Sequence, residues 1–552
     1  MTTSIHSKAG LLILATLVFC QPFSGLFSGT DGSPENAAPG TSPGLYDVRA
    51  FGAKGDGATV NTAAIQRAID TVTKNGGGRL LFPAPGKYLT GTIFLKDNVT
   101  LDIPAGATLL GSQQNADYSK DVGHCPYITE NIQRALIYAR NARNIRLTGR
   151  GTISGNGTPN VLLNTPAGEM ADRPMLARFE DCSGIRVDEL TMTECFSWNL
   201  HFARCQDVRI DGLSIFNRRQ DGIDLESCED VTISNCNIKS GDDAIAILAN
   251  RNLPCRNVTI GNCILLSQWA GIRLGPLSHG DINNISVNNC VIRDCHGGGI
   301  KIAMLEGGEI RNCNFSNLTM ENVVAPIVVM LVGNYPQTDN PEHPRMPLGK
   351  ISHLSFSHIT GTATGRLVTQ PDAQSVIFLH GHPQRDLEAI SLSDIDLVMA
   401  GGSTNPPPVN RGRIDADAPQ ITDPGCWPEH RSWGVSPAGA LEARHVKGLT
   451  LHDVRFTLAK PDLRPALFLQ QCGMVNVARL LIENPAADAP PRLSLLDCQD
   501  VLVSGCLDHR GGKAFLTLEG ADTQGVNATG NNLAGFGTEV QAAPEVLARP
   551  NP

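Results

Sequence analysis

Apolar and polar residues alternate in short runs along most of the chain, and similar runs recur about every two dozen residues. The segments CSGIRVDELTM, CQDVRIDGLSI, CEDVTISNCNI and CRNVTIGNCIL begin at Cys182, Cys205, Cys228 and Cys255, with offsets of 23, 23 and 27 residues. Alternation over five or six positions is the period of a half-buried strand. A sustained repeat of this length predicts a solenoid, in which each unit buries its apolar face against the next.

Weaker copies of the repeat begin at Ile351, Leu387, Val446 and Cys498. Units this short, without helical spacing, predict the coils of a parallel β-helix, an all-β fold whose stacked strands lie about 4.8 Å apart. Cysteines at equivalent positions would then stack inside the solenoid as small buried hydrophobes. We expect most of them to be free, because parallel Cβ vectors on stacked strands suit a disulfide poorly.

An amphipathic helix is predicted just before the first coils. One helical face carries Ala64, Ile65, Ala68, Ile69 and Val72. Asn61 or Thr62 is a candidate cap for its first turn, and Gly76 can end it. Such a helix would cover the open end of the solenoid, where strand edges are otherwise exposed.

The ends and one internal segment depart from the repeat. The apolar run of residues 9–20 follows Lys8 and is about half the length that spans a bilayer, so residues 1–28 are predicted to be a signal peptide. Residues 29–44 are predicted to be a flexible linker, and 45–545 the β-helix domain, with an irregular loop at 401–438. The protein is therefore expected to be secreted or periplasmic, and no later segment is apolar enough to cross a membrane.

The overall charge narrows the range of partners. A net charge of -9 and a pI near 5.9 argue against a nucleic-acid-binding protein, which needs clustered Lys and Arg to neutralise phosphates. An anionic polymer remains a possible ligand through a local basic patch. We expect a monomer.

Two acidic motifs, RQDGID at 219–224 and SGDDAI at 240–245, stand out from the repeat. Asp221 and Asp242 are 21 residues apart, close to one coil, and Asp243 follows directly. On adjacent coils the three carboxylates would share one patch, where like charges raise at least one pKa. A protonated acid beside an ionised carboxylate is what glycosidic hydrolysis requires. An ordinary turn and a calcium site are the alternative interpretations.

The segment GIDLESCEDVTISNCNIKSGDDAIAI resembles the core motif of glycoside hydrolase family 28, the polygalacturonases and their relatives. The opening YDVRAFGAKGDGATVNTAAIQRAID is similar to the start of bacterial members and of pectate-lyase-superfamily proteins. The resemblance runs from about Tyr46 to Val475. It implies a right-handed parallel β-helix that hydrolyses an α-linked uronic-acid or related polymer with inversion. It further implies that Asp242 is the general acid, while Asp221 and Asp243 hold and activate the water.

The chain departs from the family pattern around these aspartates. The usual Asn-Thr-Asp is Arg219-Gln220-Asp221 here, Gly-His-Gly is Gln268-Trp269-Ala270, and Arg-Ile-Lys is Lys301-Ile302-Ala303. The active-site histidine of the family is thus missing, and one of two substrate-binding cations remains. Arg219 and Arg273 are predicted to replace the second cation in part.

Further candidates for substrate binding lie nearby. Trp198 and His201 come about one coil before Asp221, and Trp269 takes the histidine position of the family; a tryptophan face can stack on a sugar. Weaker candidates for outer subsites are Tyr335, Trp427 and His430.

Three functions therefore stay open. The first is a hydrolase of pectin-type polysaccharide that needs neither a metal nor another cofactor. The second is a calcium-dependent polysaccharide lyase, in which the aspartates hold metal and an arginine or lysine removes a proton. The third is a catalytically silent polysaccharide-binding protein.

Overall fold

The computed structural model describes residues 44–123, 133–157, 173–305, 307–332, 347–365, 375–404, 435–486, 490–508 and 510–547. Within these ranges the chain forms 38 strands, two α-helices and two short 3-10 helices. The α-helices are α1 (Thr62–Lys74) and α2 (Pro544–Leu547), and the 3-10 helices are Val48–Phe51 and Asn115–Asp117.

The strands are short in the first coils and longer from the middle of the chain onward. The first fifteen are β1 (Leu45–Asp47), β2 (Gly78–Leu81), β3 (Gly86–Thr90), β4 (Ile93–Leu95), β5 (Val99–Asp102), β6 (Ala107–Gly111), β7 (Ala135–Arg140), β8 (Arg143–Thr148), β9 (Thr152–Ser154), β10 (Met175–Glu180), β11 (Ser183–Asp188), β12 (Thr191–Thr193), β13 (Leu200–Ala203), β14 (Gln206–Asp211) and β15 (Ser214–Phe216). The next eleven are β16 (Ile223–Glu226), β17 (Glu229–Ser234), β18 (Asn237–Ser240), β19 (Ile245–Leu248), β20 (Cys255–Gly261), β21 (Ile264–Ser267), β22 (Ala270–Leu274), β23 (Ile282–Arg293), β24 (Gly298–Met304), β25 (Glu309–Glu321) and β26 (Ile327–Leu331). The last twelve are β27 (Lys350–Ala363), β28 (Ile377–His380), β29 (Leu387–Gly401), β30 (Leu441–Arg444), β31 (Val446–Lys460), β32 (Leu467–Gln470), β33 (Gly473–Glu483), β34 (Leu493–Leu496), β35 (Gln499–Ser504), β36 (Gly512–Glu519), β37 (Gln524–Thr529) and β38 (Phe536–Ala542).

These strands build two long sheets, and neighbouring strands within each sheet are parallel. Sheet 1 has 23 strands, and sheet 2 has 15, running from β4 to β38 with one strand from each coil. A coil contributes one strand to sheet 2, then one or two strands to sheet 1, before the next coil begins. The fold is a right-handed parallel β-helix, as the repeat and the family resemblance predicted.

The core runs the length of the solenoid because every coil buries the same alternate positions. In sheet 1, Ile185 pairs with Val208, Val208 with Val231, and Val231 with Val258, and all four side chains are buried. The alternating apolar residues of the sequence are therefore the inward-facing ones, so removing water from them stabilises each coil only when the next coil is stacked on it.

The strands of sheet 1 bend at single residues in a left-handed backbone conformation, which asparagine adopts more readily than most residues. Asn257, Asn284 and Asn312 have φ values of 58°, 57° and 55°. Their amides form a ladder, in which Asn284 Nδ2 donates to Asn257 Oδ1 at 3.0 Å and Asn312 Nδ2 to Asn284 Oδ1 at 3.4 Å. The ladder satisfies one polar group per coil and keeps the bends in register.

Thirteen cysteines lie in the described ranges, and all are free and buried. Cys236, Cys263 and Cys290 stack from coil to coil, because the residues that follow them are paired. Cys313 is paired with Ile285 and Leu354 instead, so it lies outside this series. The prediction that most cysteines are free and buried is confirmed for these thirteen. Cys20, Cys125 and Cys426 lie outside the described residues.

Helix α1 packs its apolar face against β2 and β4 at the start of the solenoid, which confirms the predicted capping helix. Its capping differs from the prediction. Asn61 occupies the cap position, but its side chain makes no capping hydrogen bond; Asn61 Oδ1 instead accepts from Lys54 N at 2.7 Å. Thr62 Oγ1 accepts from Gly91 N at 2.8 Å, so both side chains tie the helix to the neighbouring coil.

The predicted signal peptide 1–28, nearly all of the linker 29–44 and residues 405–434 of the predicted 401–438 loop lie outside the described residues. Among the helices that are described, none combines the length and apolar character needed to cross a bilayer.

Candidate active site

The three aspartates singled out from the sequence lie at one edge of sheet 2, in the turns that lead into its strands. Asp221 comes two residues before β16, and Asp242 and Asp243 come just before β19. Strands β16 and β19 are neighbours, with Ile223 opposite Ile245. One oxygen from each of the three carboxylates lies within 4.8 Å of the others. The coil spacing therefore brings the three side chains together, as predicted.

The register adds a detail that the spacing did not give. Because Ile223 pairs with Ile245, the residue stacked on Asp221 is Asp243, and not Asp242. Asp243 N donates to Asp221 Oδ1 at 2.8 Å, and Ala270 N, one coil further, donates to Asp243 Oδ1 at 3.0 Å. Asp221 and Asp243 are thus buried and fixed by backbone donors, whereas Asp242 is partly exposed.

The turn that carries Asp242 has a shape that depends on glycine. A Cβ on Gly241 would lie 2.3 Å from Arg218 O and 2.4 Å from Arg219 N, a clash with backbone of the preceding turn. Ser240 Oγ donates to the carbonyl of Asp242 at 2.7 Å, and Ser267 Oγ donates to the same oxygen. The Ser-Gly before the two aspartates therefore fixes the backbone on which they stand.

The surroundings of Asp221 raise its pKa. Burial, followed by the charges of Asp224, Asp242 and Asp243, raises the pKa of Asp221 well above its usual value, and a hydrogen bond with Asp224 adds to the effect. Asp224 is buried and follows three residues after Asp221, on β16. The protonated form of Asp221 is therefore favoured relative to an exposed aspartate.

A partly buried arginine provides the counter-charge for Asp243. Arg273 Nη1 donates to Asp243 Oδ2 at 2.8 Å, and the two side chains are 13% and 2% exposed. The sequence predicted that Arg273 would bind substrate. In the structure its guanidinium is paired with Asp243, a carboxylate of the cluster, and its role in substrate binding stays a prediction.

Lys301 and Trp269 pack together beside the cluster. Strand β24 places Lys301 opposite Arg273, and Lys301 Nζ lies 4.8 Å from the centroid of the Trp269 ring. A Cβ on Gly297 would meet this ring at 2.7 Å, so glycine makes room for the indole. Lys301 is only 2% exposed, whereas Trp269 is partly exposed. The cation–π contact holds the ammonium in place at the edge of the site.

Arg219 lies in the turn before Asp221. Its backbone N–H donates to Asn217 Oδ1 at 3.1 Å, and the side chain is partly exposed. Its Nη1 is buried and has no hydrogen-bond partner in the part of the chain that the structure describes. A guanidinium N–H of this kind is available to an acceptor on a ligand.

Trp198 and His201 are buried, and their contacts are with the protein. The indole of Trp198 meets the His201 ring edge-on, with centroids 5.3 Å apart, and His201 Nε2 lies 3.1 Å from Glu226 Oε2. Burial lowers the pKa of His201. For Glu226, burial acts to raise the pKa, but the hydrogen bond to His201 and the positive charges of His201, Arg178 and Arg204 together outweigh it and lower the value to about 2. These contacts are within the protein, and the sugar-binding role predicted for the two rings stays a prediction.

Sequence reasoning missed the charged residues on the outer face of sheet 2. Asp224 stands in line with His201 on β13, and Glu226 lies two residues further along β16. Both belong to the RQDGIDLE segment, where they alternate with the inward Ile223 and Leu225. Charged residues at alternate positions of a strand were the available signal. The weaker candidates Tyr335, Trp427 and His430 lie outside the described residues.

The cluster has oxygen ligands that suit a hard cation, but its surroundings do not favour one. Calcium takes about six to eight oxygens. Both oxygens of Asp243 already accept hydrogen bonds, one from Ala270 N and one from Arg273. A cation here would lie beside the Arg273 guanidinium and compete with it for Asp243, which weakens the calcium interpretation.

A parallel β-helix with a carboxylate cluster at the edge of one sheet defines a class of carbohydrate-active proteins rather than one reaction. Comparison with known proteins is more specific. Residues 79–405 match Glycosyl hydrolases family 28 over more than half of the chain. The chain belongs to this family.

Individual relatives match over shorter stretches. An exo-poly-alpha-D-galacturonosidase of Dickeya chrysanthemi is 39% identical over 140 residues, 23% of this chain and 23% of the relative. A probable polygalacturonase of Vitis vinifera is 29% identical over 210 residues, 36% of this chain and 43% of the relative. The chain thus spans less than half the length of these curated relatives. The family 28 exopolygalacturonase of Yersinia enterocolitica has a similar fold, with a TM-score of 0.57, 19% identity and coverage of 83% of this chain and 78% of the other.

Proposed function

We propose that the protein is a glycoside hydrolase that cleaves α-glycosidic bonds in a pectin-type polysaccharide. The observation that carries the proposal is the cluster of Asp221, Asp242 and Asp243, with oxygens within 4.8 Å and one paired cation. Membership of family 28 supports the reaction class, and the names of the curated relatives point to polygalacturonate-like substrates.

The proposed roles follow exposure and hydrogen bonding. Asp242 is the most exposed of the three carboxylates and is the proposed general acid, because it can reach the oxygen of a leaving sugar. Asp221 and Asp243 are buried and fixed by backbone donors, which suits the orienting of a water molecule. Once substrate excludes solvent, two neighbouring carboxylates will favour the protonated form of Asp242.

The stereochemical outcome is part of the proposal. The family resemblance implies inversion, yet inverting enzymes usually hold their two carboxyl groups about 6.5–9.5 Å apart to admit water. The nearest oxygens here lie within 4.8 Å, which by that criterion favours retention. We propose inversion. The distance criterion applies to two carboxyl groups, whereas this site has three, so Asp221 and Asp243 can hold a water molecule while Asp242 acts as the acid. The anomer first released, followed by NMR during hydrolysis, decides between the two outcomes.

Substrate recognition is proposed to use Lys301, Arg219 and the exposed face of Trp269. Lys301 Nζ and the unpartnered Nη1 of Arg219 are positive donors suited to a uronate carboxylate. The proposal also includes an extracytoplasmic location, which rests on the predicted export segment alone.

Asp242→Asn tests the central assignment. It keeps the size and most hydrogen bonds of the side chain but removes the proton donor, so we expect kcat to fall at least about 10²-fold with little change in substrate affinity. Reducing-end release from polygalacturonate, rhamnogalacturonan and esterified pectin is the measurement. The matched control is Asp230→Asn. Asp230 is an exposed aspartate on β17 of sheet 1, and its Oδ1 accepts from Asn257 Nδ2 at 2.9 Å.

The outcomes separate the three functions. Activity within a few-fold of wild type in Asp242→Asn would show that Asp242 is not the acid. Unsaturated products would identify a lyase. No release from any polymer by the wild-type protein, with binding intact, would identify a polysaccharide-binding protein.

A further inference from the structure

A cavity lies along the turns that carry the aspartates, where they follow the ends of strands β12, β15 and β18 of sheet 1. We call it the side pocket. It has a volume of about 800 Å³, and the residues used below are Thr193, Phe216, Asn217, Arg218, Lys239 and Ser240. Binding sites for small molecules have volumes of about 300–1,000 Å³, so a ligand of disaccharide size fits.

The floor of the side pocket is a row of side chains on three stacked strands. Thr193 of β12 pairs with Phe216 of β15, and Phe216 pairs with Lys239 of β18. Paired residues on neighbouring strands are about 4.8 Å apart. An aromatic ring and an ammonium group therefore stand side by side, one coil apart, on the same face.

The chemistry of these side chains is that of a ligand site rather than a packed surface. Phe216 is 43% exposed, although it is a large aromatic residue. Lys239 and Arg218 are exposed, and neither has an ion pair within the described ranges. Glu194 is the acidic residue in the described lining, and its Oε2 accepts from Ser154 Oγ at 2.7 Å. The pocket thus offers an apolar platform with two cations.

We propose that the side pocket binds a uronate unit of the same polysaccharide, outside the catalytic cluster. The C–H face of a pyranose ring would lie on Phe216, and its carboxylate would meet Lys239 and Arg218. A neutral sugar would use the ring but leave both cations without a partner. This inference rests on the proposed function, because it takes the polymer of that reaction as its ligand.

The side pocket shares its wall with the turns of the active site. Asn217 Nδ2 donates to Ser197 O at 2.7 Å and to Asp221 O at 3.0 Å, while Ser240 Oγ donates to Asp242 O at 2.7 Å. A sugar in the pocket therefore lies beside Asn217 and Ser240, whose side chains hold the backbone of Asp221 and Asp242. Binding there tethers a long polymer next to the cluster, and raises its local concentration as a second attachment point does.

The experiment measures binding in the full chain carrying Asp242→Asn, so that the ligand stays intact. Phe216→Ala and Lys239→Ala should each weaken binding of polygalacturonate at least about fivefold, the scale of an exposed cation–π or stacking contact. In the chain with Asp242 intact, the same variants should leave kcat on trigalacturonate within about twofold of wild type. Phe216→Tyr and Lys239→Arg should restore most of the affinity.

Matched controls are Leu502→Ala, which removes a similarly exposed apolar side chain (38%) from sheet 1, and Lys513→Ala, which removes an exposed lysine. Unchanged polymer affinity in both pocket variants would overturn the inference. Equal binding of polygalacturonate and its methyl ester would also overturn it, because the pocket would then bind a neutral sugar. If the wild-type protein hydrolyses nothing, the proposed function fails, while the binding assay still reports on the pocket.

Discussion

Replacing Arg273 by glutamine removes the cation that is paired with Asp243. Asp243 is one of three carboxylates with oxygens inside 4.8 Å, and Asp224 adds a fourth acidic group in hydrogen-bond contact with Asp221. In the ion pair, 2.8 Å separates Arg273 Nη1 from Asp243 Oδ2, and the side chains are only 13% and 2% exposed. Without the guanidinium, the carboxylate of Asp243 loses the cation that is paired with it.

The magnitude follows from this burial. Breaking a buried ion pair by removing one partner costs about 3–5 kcal/mol. If the active form needs Asp243 as a carboxylate, the same free energy opposes that form, and about 1.4 kcal/mol corresponds to one factor of ten in rate. We therefore expect Arg273→Gln to lower kcat by roughly 10²- to 4,000-fold at the optimum pH of the wild type. Activity should recover in part at higher pH, where charge on the cluster forms more easily.

The assay is reducing-end release over a pH series, with thermal unfolding measured on the same samples. Arg273→Lys keeps a charge and should retain more activity than Arg273→Gln. Added guanidinium ion at low concentration should partly rescue the glutamine variant. The matched control is Arg293→Gln, whose pair with Asp294 is 43% and 34% exposed and therefore contributes about 0–1 kcal/mol. If Arg273→Gln keeps kcat within threefold of wild type and has the same melting temperature as Arg293→Gln, the Arg273 counter-charge is not needed.

Three other predictions follow from the same geometry. Because the folded-state pKa of Asp221 is raised, its protonated form stabilises the fold below about pH 4, and this contribution is lost as pH rises through the folded-state pKa. Asp221→Asn should therefore raise the melting temperature more at pH 7 than at pH 4. An equal change at both pH values would contradict the raised pKa. Lys301→Ala should raise KM for unesterified polygalacturonate more than for esterified pectin, because the ammonium beside Trp269 is the remaining cation of the family pair; a parallel rise in both would place charge recognition elsewhere. Exhaustive chelation of calcium should change neither activity nor melting temperature, and a loss that added calcium restores would favour the lyase.

The fold was predictable because its repeat is local. Alternation along each coil predicts a strand, and recurrence every two dozen residues predicts the stacking, as for Ile185, Val208 and Val231. The same recurrence placed Asp221 beside Asp242 and Asp243. It missed the exact register, in which Asp243 stacks on Asp221, because the two turns that enter β16 and β19 are not equally long.

The partners of the charged residues could not be read from the chain. Arg273 follows Asp243 by 30 residues, and only the register of β19 on β22 shows that its side chain meets that carboxylate. His201 looked like a binding residue because it lies near Asp221 along the coil. It is buried on the outer face of sheet 2 against Glu226. Burial of an outward-facing position depends on segments far away in sequence, so alternation alone misjudges it.

The β-helix gives a physical reason for placing catalytic carboxylates in consecutive turns. Stacked coils hold equivalent residues at strand spacing, so two charged carboxylates 4.8 Å apart would repel each other by about 3.5 kcal/mol at an effective dielectric of about 20. Backbone donors to Asp221 and Asp243 and the Arg273 pair offset part of this cost, while burial and the remaining repulsion raise the pKa of Asp221. A fold held together by its long core can sustain such a local penalty, and neighbouring carboxylates favour the protonated form that an acid catalyst needs. Asp221 and Asp243 accept hydrogen bonds from backbone N–H groups and from Arg273, so these two carboxylates are held by contacts that do not need a histidine at position 269.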